Sequence, residues 1–357
     1  MRALEFYSGI GGLHLALERS KVDANVVHAF DWDRTACEVY SANFGPGIAC
    51  KTDISIMTAD YLASLNAFLW LLSPACQPYT VLNPQAKGEL DPRAQSFLHL
   101  VRNILPELAT RNAHPTHFLV ENVAGFETST TRQVLVSTFQ QLGYTTAEFL
   151  LTPLQFGIPN SRLRYYLLAK RSPYAFRHSS QLKSGPLHFI PGRGQAEPRA
   201  DVGEIREYLD EEIDEKCVIP DKVLLKWGRL FDIVLPSSQR TCCFTRGYTQ
   251  LVERAGSILQ LNEELDTTTV FDAFLAQKSA HNETVRMLDP LRLRYFSPNE
   301  LLRLFAFSPL HTPPKFVWPS TISRKTKYRL IGNSVNVRVV QELISYLLDE
   351  SDADPTR

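Results

Sequence analysis

A cysteine, a glutamate and two arginines are the residues of this sequence best equipped for covalent chemistry. Cys76 lies in SPACQPYT (73–80), between Pro74 and Pro78 and just past the apolar run AFLWLL. Prolines restrict the backbone, so the thiol is held on a stiff loop. A thiol in that setting suits nucleophilic attack if its thiolate is stabilised and its position fixed. Standing alone it would more often be an inert core cysteine, and the two prolines and Gln77 count against that. Glu121, in LVENVAGF (119–126), follows apolar residues and falls at the carboxyl edge of an expected strand. Burial raises a carboxyl pKa and equips it to donate a proton, although a lone glutamate there also reads as a cap or loop residue. Arg162 and Arg164, in NSRLRYYLLAK (160–170), lie two apart on an expected strand and so face one side. They are either an exposed edge pair or fixed donors for a polar base or a phosphate.

The surrounding pattern says what must hold these groups. ALEFY (3–7), VVHAF (26–30), AFLWLLS (67–73), THFLVEN (116–122), TTAEFLL and YYLLAK read as strands. LHLALERS (13–20), ACEVYSANF (36–44), SFLHLVRNILPELA (96–109) and TRQVLVSTFQQLG (131–143) read as helices. Strands alternating with helices predict an α/β domain, a doubly wound parallel sheet with helices on both faces. Ligands of such sheets bind beyond the carboxyl ends of the strands, where Cys76 and Glu121 are expected. FYSGIGG (6–12) sits between the first strand and first helix, where glycines admit a ligand close to the backbone and the helix start offers free N–H groups. By itself that is a tight turn as readily as a site. Asp31 and Asp53 end the next expected strands, positioned for a ribose diol and an adenine amino group. In LIGNSVNVRVV (330–340), Asn333 or Ser334 is expected at the start of the last helix, predicted over 335–350.

Between 172 and 290 the periodicity gives way to turn-rich, acidic and Cys/Thr/Gly-rich stretches, including RTCCFTRGYT. Helical periodicity returns at SPNELLRLFAF (297–307). The expected organisation is a large domain from residues 1–171 and 291–357, with 172–290 inserted into it. Among 357 residues, 44% are hydrophobic and the formal net charge is zero, so the whole chain carries no strong electrostatic footprint for nucleic acid. Positive charge is local, in RLRYY (162–166), KR (170–171), RLR (292–294) and RKTKYR (324–329); the tail DESDADP (349–355) is acidic. No apolar run reaches bilayer length and the first ten residues lack the order of a signal peptide, so a soluble intracellular protein is expected. Cys37, Cys50, Cys76, Cys217, Cys242 and Cys243 show no CxxC or zinc spacing, which predicts reduced thiols and no metal site; a bond between the adjacent Cys242 and Cys243 is the less favoured alternative.

FYSGIGG, SPACQPY, LVENV, NSRLRYYLLAK and LIGNSV together resemble, in order and spacing, the cytosine carbon-5 methyltransferases, over nearly the whole chain. RTCCFTRGYT, with its Cys243-Phe244-Thr245, is more narrowly similar to the tRNA-aspartate cytosine-38 methyltransferases of eukaryotes. The resemblance implies a Rossmann-like class I methyltransferase domain with a small target-recognition domain, S-adenosylmethionine as cofactor, and a tRNA anticodon loop as partner, with DNA as the alternative. It implies Cys76 as the nucleophile toward cytosine carbon 6, Glu121 on the ring nitrogen and exocyclic amine, Arg164 on the base carbonyl, and Arg162 supporting the loop or adduct. It also implies that Tyr7, Gly9, Gly11 and Gly12 surround the methyl donor, with Asp31 on the ribose, Trp32 against the adenine and Asp53 on its amino group. Asn333 and Ser334 would meet its carboxylate end, and Ser8, Ile10, Ile54, Pro74 and Val335 belong to the same implied pocket. A monomer in the cytoplasm is the expected setting, with the nucleus as the further alternative.

The sequence departs from the family's Pro-Pro-Cys-Gln-Pro-Phe-Thr-Arg at Ala75, Tyr79 and Val81, and the segment 81–93 lacks the usual Arg-x-Gly start. Ala75 lifts one constraint on the nucleophile's backbone and Val81 takes away a phosphate contact. A DNA cytosine methyltransferase, a catalytically weak nucleic-acid-binding homologue and, last, a nicotinamide-dependent oxidoreductase are the alternatives. The oxidoreductase leaves Cys76, Glu121 and the paired arginines without a role.

Overall fold

The computed structural model describes residues 1–79, 90–182, 185–193, 201–212, 214–277, 282–310 and 315–349. Val81, most of the segment 81–93 and most of the acidic tail lie outside the described residues. Five strands enter first: β1 (Arg2–Phe6), β2 (Asn25–Asp31), β3 (Ala49–Lys51), β4 (Leu69–Leu72) and β5 (His117–Val123). Between them run α1 (Gly12–Arg19), α2 (Arg34–Phe44), α3 (Ala59–Ser64), α4 (Pro92–His99) and α5 (Leu105–Thr110). Then come α6 (Thr130–Gln141), β6 (Tyr144–Leu151) and β7 (Arg164–Arg171). The sheet order is β3-β2-β1-β4-β5-β7-β6.

The sheet is not wholly parallel, as the alternation had suggested. β7 lies between β5 and β6 and runs antiparallel to both. The cause is local: between β6 and β7 there is no α-helix, only a 3₁₀ turn at Pro153–Phe156, whereas a parallel return usually runs through a full crossover helix. The strands alternate their side chains between two covered faces. Leu4, Phe6, Trp70, Leu72, Phe118 and Val120 join one core with Phe97, Leu98, Leu105, Leu135 and Phe139 from the helices after β4 and β5. Ala3, Leu69, Leu71 and Leu119 join the other.

Side-chain caps set the helix starts, as their residue types require. Asp33 accepts from Thr35 and Ala36 at the head of α2, Asp91 from Arg93 at α4, and Ser129 from Arg132 at α6. The expected helix over 96–109 is continuous from Pro92 to Thr110 but widens into a π-turn at Leu100–Ile104. Pro106 follows at once; it lacks an N–H and crowds the preceding turn, which the wider turn relieves.

The later elements are α7 (Asp221–Trp227), β8 (Ile233–Val234), β9 (Ile258–Gln260), α8 (Thr267–Ala276), β10 (Leu293–Arg294), α9 (Pro298–Leu304), α10 (Arg324–Gly332) and α11 (Val337–Leu347). β8, β9 and β10 form a small separate sheet in the order β10-β9-β8. Its Ile258 and Leu259 share a core with Phe244, Phe296 and the α1–α11 face of the large sheet. On α11, Val339, Val340, Leu343, Ile344 and Leu347 are fully enclosed. Each such side chain contributes about 1.5–3 kcal/mol as an upper estimate, enough to hold the chain's end against its first helix. The cap of α11 is Asn336, accepting from Arg338 and Val339, rather than Asn333 or Ser334, and the helix is shorter than the expected 335–350. Among the described residues, no helix is long and apolar enough to cross a membrane. All six cysteines are free thiols, so Cys242 and Cys243 are not bonded to each other.

Candidate active site

The carboxyl ends of β1, β2, β4 and β5 and the start of β7 open into one crevice of about 1740 Å³. Its glycine-rich side begins at Tyr7, which leaves β1 with φ 58°, and continues through Gly9 (φ 52°) and Gly11 (φ 84°). The turn is held from beneath: the Gly9 N–H donates to Asp31 Oδ2 at 2.8 Å, the Asp33 N–H donates to Asp31 Oδ1 at 2.7 Å, and Ser73 Oγ donates to the Tyr7 carbonyl at 3.0 Å. Burial raises the Asp31 carboxyl above its ordinary value, and the N–H groups of Asp33 and Gly9 oppose this. At Gly12 a Cβ would stand 2.7 Å from Val335 Cγ2 and 3.0 Å from Ser334 Oγ, so only glycine lets LIGNSV pack against this turn.

Cys76 stands on the loop after β4. That loop is tied to β5 by Asn122, whose Nδ2 donates to the Pro74 carbonyl at 3.2 Å, and it turns back through a Tyr79 N–H to Cys76 carbonyl bond of 3.0 Å. Tyr79, where the related motif has phenylalanine, is buried edge-on against Phe126, and its hydroxyl is bonded to Thr131 Oγ1 at 3.0 Å. The extra oxygen therefore has a partner, and the loop gains an anchor. Burial raises the Cys76 thiol pKa and Glu121 adds to the rise; Arg164 and Arg162 act against it.

Glu121 is 8% exposed, and burial raises its carboxyl above the ordinary range against the pull of Arg164 and then Arg162. Arg164 Nε lies 3.6 Å from Glu121 Oε1, and its Nη2 lies 3.5 Å from Cys243 Sγ. Arg162 precedes β7 rather than lying on it, and it is used differently. Its Nη1 donates to the Phe244 carbonyl at 3.0 Å and its Nη2 to the Ser334 carbonyl at 2.6 Å, while the guanidinium sits over the Phe305 ring. Arg162 thus joins the RTCCFT stretch to LIGNSV. Its Nη1 also lies 3.4 Å from Cys243 Sγ. Burial would raise the Cys243 thiol, but the two arginines outweigh it and hold that pKa below the ordinary value.

The expected site residues divide plainly. Tyr7, Ser8, Gly9, Gly12, Asp31 and Pro74 line the crevice on the turn side, and Asn333, Ser334 and Val335 close it from the chain's last segment. Cys76, Glu121, Arg162 and Arg164 line its other end. Ile10 and Ile54 are core residues, 1% and 4% exposed. Gly11 packs on Phe44, where a Cβ would come within 2.2 Å. Trp32 is 68% exposed, with Lys51 Nζ 5.4 Å from its ring centroid. Asp53 caps a short 3₁₀ turn through Ser55. Trp32 and Asp53 stand outside the crevice proper, at the ends of β2 and β3. Sequence reasoning missed three working residues. Asn122 and Ser73 fix the Cys76 loop, and Gly332 lets the Thr245–Arg246 backbone lie against α10, since a Cβ there would stand 2.2 Å from the Thr245 carbonyl carbon. Asn122 adjoins Glu121 and Gly332 opens the GNS turn, so their neighbours were the available signal.

With this geometry in hand, comparison with known proteins is direct. Residues 1–348 match the family described as C-5 cytosine-specific DNA methylase. The chain belongs to this family. Among its C-5 cytosine methylase relatives, the tRNA (cytosine(38)-C(5))-methyltransferase of Schizosaccharomyces pombe is 39% identical, over 98% of this chain and 97% of the relative. The human protein of the same description is 34% identical, over 98% and 99%. A mutant of Spodoptera frugiperda DNMT2 superposes with a TM-score of 0.82 at 34% identity, covering 97% of this chain and 99% of that one. The fold is accordingly that of a Rossmann-like class I methyltransferase.

Members of this methylase family generally use S-adenosylmethionine, and the turn side suits it on its own chemistry. Ser8 Oγ is buried with no hydrogen-bond partner among the described residues, beside a carboxylate and the N–H groups at the start of α1. A hydroxyl left unpaired in a crevice is costly unless a ligand meets it.

Proposed function

We propose that this protein is an S-adenosylmethionine-dependent tRNA cytosine carbon-5 methyltransferase, acting on cytosine 38 in the anticodon loop of tRNA-aspartate. The observation that carries the reading is the convergence of Cys76, Glu121 and Arg164 in one crevice, with Glu121 buried and its pKa raised. Cytosine carbon 5 is a poor nucleophile until carbon 6 is attacked. Cys76 gives up its proton to solvent and its sulfur bonds to carbon 6, and the electron pair of the ring double bond moves toward carbon 5. Glu121, whose burial raises its carboxyl pKa and so favours the proton, donates to ring nitrogen 3 and accepts from the exocyclic amine, which neutralises charge arriving on the ring. Arg164 donates to the base carbonyl. The donor, when bound, supplies an electrophilic methyl group on a sulfonium. Carbon 5 would take that methyl as the methyl–sulfonium bond breaks and a neutral thioether is left; the carbon 5 proton would then leave to solvent, the sulfur–carbon 6 bond would break, the thiolate would return, and Glu121 would take its proton back from nitrogen 3.

Asp31, Ser8 and the N–H groups of the turn would hold the donor, with Asn333 and Ser334 closing over it and Trp32 and Asp53 at its adenine end. Arg162 is a positioning residue, since its hydrogen bonds go to the Phe244 and Ser334 carbonyls. The region 172–290 would meet the RNA. An unpaired loop suits the crevice because a base there turns outward at little cost. The test is incubation with methyl-labelled donor and tRNA, followed by mapping of the labelled base; donor binding without label in tRNA would reject the reading. DNA is the second reading, supported by a Dictyostelium discoideum relative, 34% identical and described as a DNA (cytosine-5)-methyltransferase. Duplex DNA and tRNA compared as substrates separate the two.

A further inference from the structure

One wall of the crevice takes no part in the chemistry above. It is the loop from Thr245 to Arg254, which contributes Arg246, Leu251 and Arg254 to the lining. The loop is closed at its base: the Thr245 N–H donates to the Ala255 carbonyl at 2.9 Å, and the buried Tyr248 donates from its hydroxyl to the Ser257 carbonyl at 2.9 Å. Gly332 seats the same base against α10. Its outer part has the opposite character. Leu251 is 63% exposed and lies over Gly247, where a Cβ would stand 2.7 Å from its Cδ1. Arg246 and Arg254 are exposed, and neither has an acidic partner among the described residues. Arg93, across the crevice, is paired with Asp91. Glu253 sets one negative charge against these two positive ones. Thr249 and Arg254 hold φ of 69° and 56°, a region that side chains, and β-branched ones above all, rarely adopt. Such conformations persist where the surrounding structure enforces them, and they gather at ligand clamps.

A nucleotide drawn out of a strand brings its flanking phosphates to the mouth of the pocket and leaves a neighbouring base with one face unstacked. We propose that the Thr245–Arg254 loop clamps the RNA strand beside the target nucleotide, with Arg254 and Arg246 on flanking phosphates and Leu251 against the exposed face of an adjacent base. This rests on the RNA reading above and assigns residues to it.

The experiment is binding of the full chain to an unmodified RNA stem–loop carrying the anticodon loop of tRNA-aspartate, followed by fluorescence anisotropy over a salt series. Each phosphate neutralised on a single strand contributes about 0.7 to the slope of log affinity against log salt. Arg254→Ala and Arg246→Ala should each lower the slope by about that amount, and Arg254→Lys should restore it. Leu251→Ala should weaken binding by about 3- to 10-fold at an unchanged slope, since it removes apolar contact and no charge. Donor affinity and melting temperature should stay at wild-type values in all four. Wild-type binding with unaltered slopes in both arginine variants overturns the clamp and leaves the catalytic reading standing. No binding of the stem–loop by the wild-type chain overturns the clamp and the RNA reading together.

Discussion

The two ends of the crevice carry charge in opposite ways. On the floor, Glu121 and Arg162 are 8% and 4% exposed, and the guanidinium of Arg162 is spent on three carbonyls and a thiol. At the rim, Arg246 and Arg254 lie in solvent with no carboxylate partner among the described residues. Enclosed charges act through a low local dielectric, so they shift each other's proton affinity and fix geometry. Exposed ones are screened within about 8–10 Å at ordinary salt and serve attraction more than chemistry. The difference assigns reaction to the floor and grip to the rim, and that division can be attacked from either end.

The largest effect is expected at Glu121. Glu121→Gln keeps the shape and removes the proton, so turnover of methyl transfer should fall about 10²–10⁴-fold, the range of a general acid's contribution, with donor affinity unchanged. Single-turnover labelling and a donor-binding isotherm check it. Equal loss of both would mean that the carboxyl group holds the floor together instead of acting on the base. Next is Asp31→Ala. It removes a carboxylate that accepts from Gly9 and Asp33 and faces the crevice. One charged hydrogen bond is worth about 1.5–3 kcal/mol, so donor affinity should drop roughly 10- to 100-fold, with stem–loop affinity untouched. Titration calorimetry with S-adenosylmethionine decides this, and an unaltered isotherm removes Asp31 from the donor site.

Smaller still is the effect of uncoupling floor from rim. Gly332→Ala places a Cβ 2.2 Å from the Thr245 carbonyl carbon and 2.4 Å from the Arg246 nitrogen, both of them backbone. Overpacking of this kind costs about 1–3 kcal/mol, and the segment must move away from Arg162 to relieve it. The melting temperature should fall by a few degrees. Gly143→Ala serves as control, because its Cβ meets nothing within 4 Å although its φ of 79° carries strain of its own. If the two variants melt alike, close approach at Gly332 is not what couples the regions.

How far the sequence announced this arrangement differs from one end to the other. The floor was legible because its groups sit at strand ends, and strand ends follow from apolar runs: LWLL before Cys76, HFLV before Glu121. The antiparallel β7 was not, because YYLLAK is apolar on both faces and carries no mark of direction; the link from β6, which holds a 3₁₀ turn and no α-helix, was the clue. The start of α11 was placed too early because Ser334 and Asn333 are both good caps, and only the fold shows that Asn336 reaches the free N–H groups. Cys243 was visible as part of a motif, but its pairing with two arginines depends on contacts across about eighty positions of chain. The rim was least legible, since an unpaired arginine is defined by what is absent around it.

A last prediction concerns a charge hidden below the floor. Glu5 is fully enclosed under the glycine-rich turn, and Tyr40 donates to its Oε2 at 2.8 Å. The Tyr40 oxygen also lies 2.7 Å from His14 Nδ1. Burial lifts the Glu5 carboxyl from 4.5 to about 8, and the Tyr40 hydroxyl and the N–H groups of His14 and Leu13 only partly offset this. The native protein therefore keeps a proton that the unfolded chain gives up, and stability is lost as pH rises from about 4.5 to about 8. His14 works the other way: burial lowers it from 6.5 to about 4, so its contribution is lost as pH falls below 6.5. Glu5→Gln keeps an acceptor for Tyr40, cannot ionise, and leaves His14 in place. Subtracting the two melting curves isolates the carboxyl group. The variant should gain on the wild type steadily between pH 5 and 8, and the gap should stop widening above that. Parallel curves across the window would mean that Glu5 is ionised in the folded state, and the floor would then carry one more buried negative charge than its geometry suggests.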